Sequence, residues 1–187
     1  MLKYSQMKNK SLIIYCLLIF FVGTTKGQDL QHVKGLRAYD ITYYMTQQGN
    51  GFRVGYTMFL SAKFNLPILF DYETGKLSCT KFSRYSLNIQ PGLTILKPFK
   101  NDYLTAYIPL LAGIESLSSD EVTAKQNNFM YHVGIGINNE YNIGSALAIL
   151  IYFDQMVIGK SNLGTRYYSA GAGLRIKITN FKNKRSL

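Results

Sequence analysis

The feature that most constrains this chain is a pair of alternating arms between Phe129 and Phe153. In the first arm Phe129, Tyr131, Val133, Ile135 and Ile137 alternate with Met130, His132, Gly134 and Gly136. In the second, Leu147, Ile149, Ile151 and Phe153 share one parity. Side chains two apart lie on one face of a strand, so each arm is a strand with one apolar face. The connection Asn138-Asn-Glu-Tyr-Asn-Ile-Gly144 is turn chemistry, so the two arms form a hairpin. Arms of about nine residues are long enough to cross a bilayer as tilted strands.

The same unit recurs along the chain. Strands are expected near residues 36–45, 52–64, 68–73, 82–96, 102–115, 129–137, 145–153 and 165–178, with a local break at Pro91 because proline removes a ladder donor. The reversals near 65–67, 97–101 and 138–144 are short, and the polar ones near 74–81, 116–127 and 154–164 are long. Only the connection at 47–51 departs from that order. Short turns at one end and longer loops at the other mark outer-membrane barrels. The expected fold is therefore all-β, an eight-stranded antiparallel up-and-down transmembrane β-barrel.

Charge separates the faces. In mid-strand the apolar parity carries no charge, whereas the opposite parity carries Asp40, Arg53, Lys63, Asp71, Glu73, Arg84, Glu115, Asp154, Arg175 and Lys177. Arg or Lys on a lipid face costs about 2–4 kcal/mol near the midplane, while paired charges are tolerated inside a barrel. The expected lumen pairing involves Asp40, Arg53, Lys63, Asp71, Glu73, Arg84, Arg175 and Lys177. Asp40 is placed to meet Arg175 or Lys177 across the closing seam, and Lys63 and Arg84 to meet Asp71 or Glu73. Tyr43, Phe52, Tyr56, Tyr72, Tyr85, Phe129, Tyr131, Phe153 and Tyr168 are expected as an aromatic girdle at the outer interface.

The N-terminus sets the compartment. Lys3, Lys8 and Lys10 precede an apolar run from Leu12 to Val22, and Thr25 and Gly27 stand before Gln28. This reads as a secretory leader over 1–27, cleaved near Gly27/Gln28, and implies the bacterial outer membrane for the barrel. Residues 28–35 form a polar periplasmic lead-in, 36–178 the barrel, and 179–187 a basic tail. Without the leader one cysteine remains, Cys79, which has no internal partner. The leader holds four of the 21 basic residues and no acid, leaving 17 basic against 10 acidic, or +7. That charge is scattered and fits no nucleic-acid-binding motif, so no direct nucleic-acid contact is expected.

Chemistry is thinly represented. His32 lies in the lead-in and reads as solvated; His132 faces the lumen and reads as packed or solvated. No serine sits in a nucleophile frame, and no His, Cys and Asp cluster has metal-ligand spacing. No catalytic residue, cofactor, metal or small-molecule substrate is expected. An eight-stranded barrel filled by side chains leaves no aqueous channel, so a porin is not expected either. The alternative fold is a soluble lipocalin-like lipid-binding barrel, whose apolar face would point inward. The low charged content, 17%, and the small residues of the polar face favour the membrane form.

Several short motifs carry a resemblance. They are Lys34-Gly35-Leu36, Gly113-Ile-Glu115-Ser116, Asn128-Phe129-x-Tyr131-x-x-Gly134 followed by Glu140, and Gly171-Ala-Gly173-Leu-Arg175. In this order, over most of residues 34–176, the chain resembles the conjugative transposon TraO proteins of Bacteroidetes. The resemblance implies a non-enzymatic structural or docking subunit of a DNA-transfer apparatus, with outer-membrane lipid and other envelope proteins of that apparatus as partners. The alternative is a general small outer-membrane barrel with a structural or adhesive role.

Overall fold

The computed structural model describes residues 32, 34–77, 80–99, 101–119, 122–144, 146–164 and 167–178. The expected leader and basic tail lie outside the described residues. Within them are β1 (Arg37–Thr46), β2 (Gly49–Phe59), β3 (Phe64–Leu77), β4 (Thr80–Ile89), β5 (Gly92–Leu96), β6 (Asp102–Tyr107), β7 (Leu110–Ser119), β8 (Val122–Asn142), β9 (Leu147–Lys160) and β10 (Tyr167–Ile178).

All pairings are antiparallel; most join consecutive strands, while β3 also pairs with β5, β4 with β7 and β6 with β8, and β10 returns to β1, where Asp40 faces Arg175. The strands close into a ring of eight positions. β4 and β5 share one position, interrupted at Gln90 and Pro91; β6 and β7 share the next, interrupted at Ile108 and Pro109. The two interruptions adjoin. Ile108 N donates to Pro91 O at 3.2 Å and Gly134 N to Pro109 O at 3.1 Å, so the carbonyls stay in the ladder where the prolines lack donors. The break at Pro91 follows the sequence reading; the one at Pro109 adds to it.

The two faces separate as the alternation demands. Ile41, Tyr43, Val54, Phe70, Leu87, Ile114, Ile135, Ile151 and Leu174 are exposed on the outside of the ring, while the charged parity is buried within it. A soluble ligand-binding barrel would have the reverse arrangement. The exterior rows continue from strand to strand. Tyr43 stands opposite Phe52, Phe52 opposite Tyr72, Tyr72 opposite Tyr85, Tyr85 opposite Ile114 and Ile114 opposite Phe129. The Tyr72 and Tyr85 rings lie 4.9 Å apart. Phe153 stacks on Tyr168 at 6.2 Å, and Tyr131 is exposed on the same outer face.

Two ends can be distinguished. The near end holds Arg37, Ile178, the turn at 60–63 and residues 97–99, 101, 143–144 and 146; the far end holds the β1–β2 turn, Leu77 with Thr80, Ser119 with Val122, and the end of β9. Tyr56 departs from the expected girdle. It faces Tyr39 with ring centroids 5.6 Å apart, close to the near-end terminus of β2. The first near-end turn is 60–63 and not 65–67; Pro67 lies inside β3. Lys63 consequently sits exposed in that turn and not in the interior, which corrects its expected pairing with Asp71 or Glu73. Counting the alternation from Phe52 through Phe64 carried it past a reversal that has no glycine or asparagine to mark it.

The polar stretches expected as long far-end loops are mostly strand. Pairing continues to Leu77 opposite Thr80 and to Ser119 opposite Val122, and β9 runs on to Lys160. Polarity there marks a change in what surrounds the strand, whereas backbone pairing goes on regardless of it.

Candidate functional site

Side chains pack the interior among the described residues. Its voids of about 10 and 20 Å³ are each of the order of one water. Room for large side chains comes from glycines on the inner face. A Cβ at Gly136 would lie 2.5 Å from the Tyr107 ring, and one at Gly171 2.6 Å from the Tyr152 ring. Each glycine leaves a recess that a neighbouring tyrosine fills.

Polar side chains fill the rest in two clusters. Toward the far end, Arg53 Nε donates to Asp71 at 2.8 Å and Nη2 to the second oxygen of Asp71 at 3.0 Å. The pair faces itself directly across the β2–β3 ladder. Arg53 Nη1 also reaches Asp154 at 3.3 Å, and its guanidinium lies 4.5 Å from the Tyr152 ring centroid. Asp154 accepts from the Tyr107 hydroxyl and, at 3.1 Å, from Ser169. Further out, Arg84 stands between its two ladder neighbours, 3.4 Å from Glu73 and 3.6 Å from Glu115. Thr46 Oγ1 donates to Glu73 at 2.7 Å.

Toward the near end, Arg175 grips Asp40 with two bonds of 2.7 Å across the β1–β10 seam and also donates to Glu140. Lys177 Nζ contacts Glu140 and donates to Asn142. Thr57 Oγ1 donates to Asp40 at 2.6 Å. Buried charges require this density of partners, since desolvation of each ion costs several kcal/mol.

Both ends are covered from within. At the near end His32 is buried, not solvated as its polar surroundings in the chain implied. It stacks on Tyr103 at 3.9 Å, lies 4.5 Å from Phe59 and bonds Glu140 at 3.1 Å. Those contacts come from three different strands, so His32 sits across the opening. Burial holds the His32 imidazole below its ordinary range, against the upward pull of its hydrogen bond to Glu140. At the far end, residues 161–164 turn in over the opening. Ser161 Oγ donates to Glu115 at 2.6 Å, Asn162 N donates to the other oxygen at 2.5 Å, and Gln48 Nε2 donates to Leu163 O at 2.5 Å. His132 is buried edge-on to Tyr167, with centroids 4.9 Å apart.

Of the interior residues read from the sequence, Asp40, Arg53, Asp71, Glu73, Arg84, Arg175 and Lys177 lie inside the ring in ion pairs, and Lys63 lies outside. Glu140, His32, Tyr107 and Asn162 were not among them. Glu140 falls in the stretch read as a turn, and no local pattern brings His32, 108 residues away in the chain, to it. Among the described residues no group of His, Cys, Asp and Glu has the arrangement of a metal site.

No protein-family model matches this chain, and no curated protein does. Solved structures do. Neisserial surface protein A superposes with a TM-score of 0.59 at 15% identity, covering 76% of this chain and 96% of that one. Ail, the attachment invasion locus protein of Yersinia pestis, gives 0.56 at 14% identity, covering 78% of this chain and 100% of its own. The N-terminal β-barrel domain of Pseudomonas aeruginosa OprF gives 0.55 at 12%, covering 78% and 98%. At these identities the likeness is one of fold: the chain has the architecture of small outer-membrane β-barrels.

Proposed function

We propose that this chain is a small outer-membrane β-barrel without catalytic activity, acting as a structural or adhesive element through its far-end hairpins. The carrying observation is the inverted distribution of polarity: exposed rows of Ile, Leu, Phe and Tyr outside, ion pairs inside. Water would disfavour such an exterior by about 25 cal/mol per Å² of apolar surface, whereas hydrocarbon accepts it. In this reading the near end is periplasmic and the far end faces outward, because β8 overshoots the length needed to cross. The interior, packed and closed at both ends, supports a docking role over a conducting one. Fractionation tests this reading. The protein is expected to sediment with outer membranes, resist carbonate extraction, and migrate differently on gels before and after boiling; a soluble, freely extracted protein sinks it.

The motifs shared with the conjugative transposon TraO proteins favour a second reading, in which the barrel serves a DNA-transfer apparatus by docking its envelope components. Deletion is then expected to abolish element transfer while leaving growth intact; unimpaired transfer removes this reading and leaves the first.

A further inference from the structure

Charge on the outside of the ring has one sign. Every acidic side chain among the described residues is buried, whereas the exposed charged side chains among them are all lysine or arginine, including Lys34, Lys63, Lys76 and Lys81. Asp29, Asp120 and Glu121 lie outside the described residues. Two of the exposed lysines stand in a position that the ladder avoids elsewhere. Lys76 of β3 faces Lys81 of β4 directly. Wherever else two charged residues face each other in the described ladder, the signs are opposite: Asp40 with Arg175, Arg53 with Asp71, and Arg84 with Glu73 and Glu115. Like charges directly opposite destabilise a strand pair, and an anion held between them removes that penalty.

The surroundings of the pair follow the profile of a bilayer interface. Along β3 the outward parity runs Tyr72, Thr74, Lys76; along β4 it runs Tyr85, Ser83, Lys81. The register sets these side by side as an aromatic row, a hydroxyl row and an ammonium row. On the next strand Ile114 continues the first row and the exposed Ser118 the third. The lysines stand four residues beyond the tyrosines. That is about 13 Å along the strands, and about 10 Å along the membrane normal at a tilt of about 35–45°. Tyrosine girdles lie at headgroup level, in a layer about 5–7 Å thick. The lysine backbone is thus just above that layer, and flexible stems let the ammonium groups turn back into it.

We propose that Lys76 and Lys81 hold the phosphate of an outer-leaflet lipid headgroup between them. This rests on the membrane reading, with the far end facing outward. A phosphomonoester headgroup fits the pair. It carries a charge of about −1.5 to −2 at pH 7, which balances two ammonium groups, and its oxygens accept charge-assisted hydrogen bonds from both. A zwitterionic headgroup carries no net charge and a carboxylate only one negative charge, so neither balances the pair.

The test uses the whole protein in maltoside micelles, with dioleoyl phosphatidic acid as the phosphomonoester probe. Native mass spectrometry counts the lipid retained by wild type, by Lys76→Gln/Lys81→Gln and by Lys34→Gln/Lys63→Gln. The last variant removes the same charge from exposed lysines at the near end. Gel mobility before boiling checks the fold of each. Retention by wild type and by the near-end variant, weakened about tenfold or more in Lys76→Gln/Lys81→Gln, supports the proposal. No retention by wild type, or equal retention by all three, overturns it. Equal loss in both variants means diffuse charge only and overturns it too, as does equal retention of phosphatidylcholine by wild type. Displacement of the lipid by inorganic phosphate at matched concentration makes free phosphate the ligand and overturns the lipid assignment. A protein that fractionates as soluble ends the membrane reading and this proposal with it. A protein that sediments with membranes but shows none of this selectivity ends this proposal alone.

Discussion

The two interior clusters solve one electrostatic problem with different inventories. The near-end cluster sets Arg175 and Lys177 against Asp40 and Glu140, a balanced set, with His32 as an extra donor or acceptor. The far-end cluster sets only Arg53 and Arg84 against Asp71, Asp154, Glu73 and Glu115. Neutral donors make up its shortfall: Tyr107 and Ser169 on Asp154, Thr46 on Glu73, Asn88 on Asp71, Ser161 and the Asn162 amide on Glu115. A hydroxyl aimed at a buried carboxylate does part of a cation's work without bringing a second charge that must also be desolvated. The cost is redundancy. Each far-end guanidinium serves two carboxylates, whereas Glu140 is reached by Arg175, Lys177 and His32 together.

That difference orders the effects of mutation. Arg53→Met leaves Asp71 with Asn88, and Asp154 with Tyr107 and Ser169, but neither with a paired cation, and is expected to lose about 3–5 kcal/mol of stability. Arg175→Met leaves Lys177 on Glu140 and Thr57 on Asp40, so its loss should be smaller. The protein has no Trp, so far-UV circular dichroism during guanidinium unfolding in micelles is the suitable measurement. A larger loss in Arg175→Met breaks the comparison.

Tyr107→Phe sharpens it. Removing the hydroxyl leaves Asp154 with Ser169 and a shared Arg53, at an expected cost of about 1–3 kcal/mol, read in the same unfolding experiment. A neutral result would mean that the hydroxyl donors contribute nothing and that Arg53 alone satisfies the cluster. Gly136→Ala tests the recess beneath Tyr107. Its Cβ would press on the Tyr107 ring and, at 2.7 Å, on Asp154, so overpacking of about 1–3 kcal/mol is expected. Wild-type stability in this variant would show that the tyrosine is loosely held.

The smallest effect is at the near end. His32 has a folded-state pKa below its ordinary 6.5, so the unfolded chain binds the proton more readily. Its contribution is therefore present above about pH 6.5 and is lost as pH falls through the folded value. Around the ring stand Glu140, Lys177 and Arg175 as charged groups and Tyr103 and Phe59 as packing partners. His32→Phe, which keeps the stacking, is expected to flatten the stability profile in that window. An unchanged profile would locate the acid sensitivity elsewhere.

Legibility from the sequence tracked the range of the interaction. Asp40 and Arg175 lie 135 residues apart, yet inward parity alone puts both inside, and closure of the ring brings them together. Arg53 with Asp71 and Glu73 with Arg84 needed only hairpin neighbours. Lys63 went astray because an unmarked reversal at 60–63 broke the count on which parity depends. Tyr56 was given the right face and the wrong height for the same reason.

What the sequence by itself determined is the alternation and, through it, which side chains share a face, since a strand leaves no other choice at period two. It also determined that one face is oily and the other charged. The tertiary structure decided how far each strand runs, because polar residues pair their backbones as readily as apolar ones. It alone placed His32 in the near opening and residues 161–164 over the far one. Those placements depend on where the closed ring leaves room and an unmatched carboxylate, and neither is written in any local stretch of chain.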